Sequence, residues 1–214
     1  MSATYRQSAV ASADALARDP DNRLFTRSPR LRLEAEQVRD QALAVSGLLS
    51  RKIGGPSVYP PQPDGVWQVV YSGAAWNTPV GEDRYRRGIY TYLRRTSPYP
   101  SFIAFDSTSR ETCTVRRIRT NTLLQSLVTL NDPVFIEASK HLAAQALAGA
   151  PAFDGRLDAI TLRLLARRLA PEERSIVRRT LDAAQARYTR EPAAAAALLA
   201  VGSLPAPAGT PAPE

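Results

Sequence analysis

Residues 122–149 read "TLLQSLVTLNDPVFIEASKHLAAQALAG", and this stretch decides the class of the fold. Thr122 has Gln125 three residues on, the spacing at which a threonine hydroxyl and a glutamine side chain satisfy each other's free backbone donors at a helix start. Asp132 is followed by Pro133, an acceptor side chain and then a ring whose missing N–H costs nothing in the first helical turn. Two consecutive helices are therefore expected, the second running until Gly149 can end it.

Toward the C-terminus the same signals recur. Helices fit "DGRLDAITLRLLARRLA" and "PEERSIVRRTLDAAQARY"; the second opens on Pro171, carries two glutamates in its first turn, and places Val177, Leu181, Ala184 and Tyr188 on one side. A short alanine-rich helix is expected after Pro192. Residues 203–214, "SLPAPAGTPAPE", are too small and proline-rich to bury anything and are expected to be a disordered tail.

Toward the N-terminus the turn-like "DPDNR" precedes a third helical signal. Ser28 can cap a helix with Pro29 at its first position, and Leu31, Ala35, Val38, Ala42, Val45 and Leu49 recur at spacings of three and four. Arg51 and Lys52 suit the negative end of that helix, and Gly54, Gly55 and Pro56 stop it.

Between these helices, residues 56–119 read differently. A proline-stiffened connector, "PSVYPPQPDG", leads into "VWQVVY" and, after a long polar loop from about Ser72 to Arg87, "GIYTYL". Both runs are rich in β-branched and aromatic residues and bounded by turn formers, which predicts an antiparallel pair. The chain is thus expected to be mainly α: one helical domain over 1–202 with a small antiparallel β-hairpin insert and long loops, with α+β as the second choice.

Composition narrows the function. The chain has 214 residues and a formal net charge of +8, and of its 28 basic residues only Lys52 and Lys140 are lysines. Nine arginines fall between Arg84 and Arg119, against only Asp106 and Glu111, so this segment carries +7 of the total. Ten of the fifteen aromatic residues cluster between Tyr59 and Phe105. Arginine forks pair with carboxylates and sulfates, and flat rings stack on sugar faces. Arg86, Arg87, Tyr90, Tyr92, Arg94, Arg95, Arg110, Arg116 and Arg117 are the candidate ligand-binding residues. The competing reading makes the cluster an internal layer in which tyrosine and arginine stack on one another.

Asp106, Glu111 and Cys113 are the candidates for catalysis, an acid or base beside arginines and a thiol flanked by Arg110 and Arg116. The plainer reading gives Thr108 and Glu111 a capping role at a helix start and leaves the cysteine inert. The single histidine, His141, sits in mid-helix with no nucleophile motif beside it. One cysteine excludes an internal disulfide and any multi-cysteine metal site, and no phosphate loop, GxGxxG or EF-hand pattern occurs. No metal and no cofactor is assigned to the chain. No apolar run approaches the ~20 residues of a membrane span, and no export signal follows Met1.

"SATYRQS", "DPDNRL", "SPRLRLEAEQVRDQALAVSGLLSRKIGGPSVYPPQPDGVW" and "GEDRYRRGIYTYLRRTSPYPSFIAFDSTSRETCTVRRIRTNTLLQSLVTLNDPVFIEA" strongly resemble the planctomycete-type domain of unknown function, family 1553. The resemblance spans Ser2 to Leu147 and continues more loosely to Gly202. It implies the C-terminal module of a large exported protein, with upstream domains as partners, haem c carried by a cytochrome segment upstream, and a periplasmic or cell-envelope location. It transfers no catalytic residue. Leu123 stands where the family usually has proline, and the family's further tryptophan-containing helix is replaced by the proline-alanine tail, so a fragment with an incomplete core is expected. The expected function is a non-catalytic module docking an anionic polysaccharide, another glycan or a neighbouring domain. A polysaccharide hydrolase using Asp106 and Glu111 is the alternative; nucleic-acid binding, third, lacks a recognised motif.

Overall fold

The structure is a computed structural model that describes residues 2–4, 6–63, 65 and 75–205. The described residues are mainly α, in eight helices with two 3-10 turns and only isolated β-bridges. They fall into two compact units, one ending at Leu33 and the other starting at Glu34.

The first unit holds a short helix, α1 (Ala13–Arg18), which the sequence reading did not anticipate; Ser12 caps it by accepting the Ala15 N–H. The "DPDNR" turn forms around the Asp19 carboxylate, which accepts the N–H groups of Arg23 at 2.7 Å and Leu24 at 2.9 Å. Arg27 closes the loop by donating to the carbonyls of Asp19 and Pro20.

The second unit begins with α2 (Ala35–Val45), much shorter than expected at both ends. Ser28 does not cap it, since the helix starts only at Ala35; the Ser28 N–H donates to Ser8 within the first unit. Gln37 instead accepts the Glu34 N–H at 3.0 Å and fixes the start there. At the other end Gly47, with φ of +76°, lets the N–H groups of Gly47 and Leu48 turn back onto the carbonyls of Ala44 and Leu43. Glycine enters that left-handed region without a Cβ penalty, so the helix stops before Gly54 is reached. Ala35 and Leu43 are buried as the apolar face requires, Leu31 is exposed, and Arg39 lies between the two buried positions at 1% exposure.

The first half of "GIYTYL" is not a strand. Gly88–Tyr90 is a 3-10 turn, and Val58 bridges Thr91 in parallel sense. Gly88 is drawn onto α2: its N–H donates to Asp40 at 2.6 Å, and a Cβ there would lie 3.0 Å from the Glu36 Cα. The proposed partner strand "VWQVVY" lies outside the described residues. The other 3-10 turn, Gly81–Tyr85, falls within the expected polar loop.

A five-residue helix, α3 (Pro100–Ala104), leads by a long loop to α4 (Leu123–Asn131), which starts on the expected Thr122–Gln125 box. Helix α5 (Pro133–Gly149) follows at once, capped by Asp132 through the Val134 N–H at 2.9 Å. It packs against α2, α4 and α6 (Phe153–Leu165). Its phenylalanine Phe135 joins Ala35, Tyr99, Phe102 and Phe105 in one buried cluster, while Val134 joins Leu43 and Tyr85 in another. The region expected to be a helix through 170 breaks at Ala166, where φ is +54°. Arg167 pairs there with Glu173, which also accepts the Ala170 N–H and so starts α7 (Pro171–Arg190). No residue of α7 is buried, nor any of α8 (Pro192–Leu199). Ser203 and Leu204, expected in the loose tail, hydrogen-bond to Glu137 of α5; residues 206–214 of that tail lie outside the described residues.

Candidate functional site

The ring-rich middle of the chain divides between core and surface. Tyr99 stacks on Trp76 at 5.7 Å and meets Phe102 edge-on at 5.1 Å, and Trp76 meets Tyr59 edge-on at 5.2 Å. Polar tips of these rings are satisfied by the proline-rich connector: the Trp76 indole donates to the Pro60 carbonyl and the Tyr99 hydroxyl to that of Pro61. Buried tyrosine and tryptophan need such partners, and a proline carbonyl is as good an acceptor as any other. Burial pushes the Tyr99 hydroxyl far above its ordinary pKa, so it stays a neutral donor.

Two arginines act inward in the same way. Arg86, 1% exposed, donates to the carbonyls of Pro56, Lys52 and Gly54 and lies 3.7 Å over the Tyr90 ring. The Tyr90 hydroxyl accepts the Gly54 N–H at 2.9 Å, so Arg86 and Tyr90 together fasten the 52–56 loop. Arg39 donates to the carbonyls of Arg86 and Arg84.

Outside this layer lies a cleft of about 640 Å³. One wall is α2 with Glu34, Glu36 and Asp40; another is the Arg87–Leu93 segment; the third is the loop bearing Ser107, Thr108, Arg110 and Arg117. Its charges are largely matched. Arg117 grips Glu36 with both guanidinium ends, at 2.6 and 2.9 Å, and reaches Glu34 at 3.1 Å. Arg119 meets Glu34 at 3.3 Å, and Arg87 meets Asp40 at 3.4 Å. The Arg117 contact holds the Glu36 carboxyl below its usual range against the opposing effect of burial, and the same contact raises Arg117. Exposed Arg110, at φ of +60°, and four hydroxyl residues, Ser57, Thr91, Ser107 and Thr108, also line the cleft. The buried Thr91 Oγ1 has no hydrogen-bond partner among the described residues.

Of the nine residues assigned to ligand binding, the cleft gathers Arg87, Tyr92, Arg110 and Arg117. Tyr92 extends the ring series outward, packed on Tyr59 at 4.8 Å. Arg86 and Tyr90 serve the interior. Arg94 donates to Thr96, Arg95 and Arg116 are exposed, and none of the three lines the cleft. Asp106 accepts from the Thr120 N–H and hydroxyl, both at 2.8 Å, and from Gln125, so it ties the long loop to the start of α4. Glu111 is exposed in that loop, and no helix begins beside it to need the Thr108 and Glu111 caps. Cys113 is free and exposed. His141 is buried on α5, and burial with nearby Lys140 lowers its pKa. Among the described residues no cluster of potential metal ligands occurs and no helix is long and apolar enough to cross a membrane.

The acidic wall was missed in the sequence. Glu36 and Asp40 share a face of α2 at a four-residue spacing, which was a legible signal, but their guanidinium partner Arg117 lies 81 residues away from Glu36. The family described as "Protein of unknown function (DUF1553)" matches residues 1–181. No curated protein and no solved structure matches the chain.

Proposed function

We propose, from the premise that the chain belongs to the DUF1553 family, that it is a non-catalytic docking module whose cleft takes a hydroxyl-rich, glycan-type ligand. The observation that carries this reading is the buried Thr91 hydroxyl, without a hydrogen-bond partner among the described residues, in the wall of a cleft whose carboxylates are paired with arginines. A buried hydroxyl without a hydrogen bond is costly, and a ligand hydroxyl relieves that cost. Carboxylates and guanidiniums held in pairs present fixed acceptors and donors to sugar hydroxyls, while Tyr92 offers a ring. A polyanion fits less well, because Glu34, Glu36 and Asp40 neutralise the arginines that would receive it. Nothing favours the hydrolase reading, since neither Asp106 nor Glu111 lines the cleft.

The test is a binding screen of neutral and sulfated oligosaccharides at two salt concentrations. A neutral glycan that binds with little salt dependence, and weakens about tenfold or more in Thr91→Val or Arg110→Ala, supports the reading. Binding confined to sulfated chains and lost at high salt, or unchanged in both variants, refutes it. The same proposal places the module in the cell envelope beside upstream domains, one of them carrying haem c. Fractionation of cells probed with an antibody to this chain checks the location.

A further inference from the structure

On the face of α5, Glu137 and Lys140 grip the backbone that follows α8. A single oxygen, Glu137 Oε1, accepts the N–H of Ser203 at 2.8 Å, the N–H of Leu204 at 3.2 Å and the hydroxyl of Tyr85 at 2.8 Å. With the Tyr85 proton directed at Glu137, the Ser203 hydroxyl donates to the Tyr85 oxygen at 2.8 Å. The Lys140 ammonium donates to the carbonyls of Leu199, Val201 and Leu204, at 3.1, 2.7 and 3.3 Å. Arg84 adds positive charge 3.7 Å from the other Glu137 oxygen.

Five of these six bonds to the segment end on main-chain atoms, so they do not depend on which side chains it carries. Selectivity enters at Gly202. Its φ is +100°, and a Cβ there would overlap the Glu137 carboxyl group and lie 2.6 Å from Cγ. Ser203, Leu204 and Pro205 are exposed and Leu199 and Val201 only half-buried, so no fully buried apolar side chain anchors the segment. Its attachment is polar, and therefore exchangeable with water and with another strand of the same kind.

We propose that Glu137, Lys140 and Tyr85 form a peptide-docking clamp that selects a helix end followed by glycine and serine. The chain's own Leu199–Leu204 fills it in cis, and the same segment of a second copy fills it when the cis segment is displaced. The clamp is independent of the cleft: its residues and the cleft's are different.

The test uses the full chain and a dye-labelled peptide of residues 196–205, AALLAVGSLP. In Gly202→Ala the added Cβ expels the cis segment, so this variant binds the peptide about tenfold or more tightly than the unaltered chain does. The peptide bearing alanine at the glycine position does not bind, nor does the wild-type peptide bind Glu137→Ala/Gly202→Ala, which has no acceptor for the Ser203 and Leu204 N–H groups. Equal binding to the unaltered and Gly202→Ala chains, equal binding by the alanine peptide, or no binding at all overturns the proposal. Hydrogen exchange on the unaltered chain is a second check. The Ser203 and Leu204 amides exchange about tenfold or more slowly than in the free peptide, and lose that protection in Glu137→Ala. Unprotected amides in the unaltered chain equally overturn it.

Discussion

Arg39 and Arg86 lie buried in the interior, and they donate hydrogen bonds there to backbone carbonyls. Their value is geometric, since one planar fork can hold several backbone segments at fixed separations. Arg39→Ala leaves two carbonyls unpaired and a void beside Leu43, and should cost about 3 kcal/mol in urea unfolding; Arg39→Lys should recover only part of that. Asp132 behaves in the opposite sense to a surface carboxylate. Burial raises its pKa from 3.8 to about 6, against the lowering effects of the Val134 N–H and of Arg39. The folded state therefore binds more protons than the unfolded state between these values. The stabilising contribution is complete below about pH 3.8 and is lost as pH rises through about 6. Asp132→Asn keeps a capping oxygen and should flatten this part of the stability profile, removing a penalty on the order of 2 kcal/mol at pH 7. Unfolding curves at several pH values measure it. Glu36 has the usual sign: Arg117 lowers its pKa, so its contribution is present above its ordinary 4.5 and fades as pH falls through the lower folded value.

Among the elements, those whose ends are fixed by neighbours in the chain were the ones readable in advance. Helices α4 and α5 start where Thr122, Gln125, Asp132 and Pro133 put them, because each cap lies within three residues of the group it satisfies. Helix α2 was misplaced because its start is fixed by Glu34 and Gln37 and its end by Gly47, an αL position that apolar periodicity does not reveal. Gly47→Ala should destabilise the protein by about 1 kcal/mol, with the added Cβ also 3.0 Å from Gln145 Nε2. "GIYTYL" misled because branched and aromatic residues pack equally well in a 3-10 turn laid on a helix. What sets that turn is the Gly88–Glu36 approach, a contact between residues 52 apart. Gly88→Ala should push the turn off α2, deform the cleft and abolish ligand binding while the far-UV spectrum of the helices stays unchanged. The cleft was half legible for the same reason: its arginines cluster in sequence, and the carboxylates that tame them come from α2.

At the scale of the whole molecule, the buried clusters of the second unit draw only on residues from Ala35 onward. A chain reduced to 34–214 should therefore keep a cooperative thermal transition, followed by circular dichroism at 222 nm; a noncooperative melt would show that the first 33 residues are needed for the core. The net charge of +8 should give the intact protein weak retention on both heparin and DNA that falls together as salt rises, measured by salt elution, since part of the arginine cluster is internally paired.

The solitary thiol of Cys113 stands in solvent on the loop that also carries Arg110 and Arg117. A maleimide fluorophore attached there would sit at one address per molecule without any engineered residue, on the loop that supplies one wall of the candidate cavity. Its emission, followed during titration with sugars, would make that sulfur a built-in gauge of occupancy.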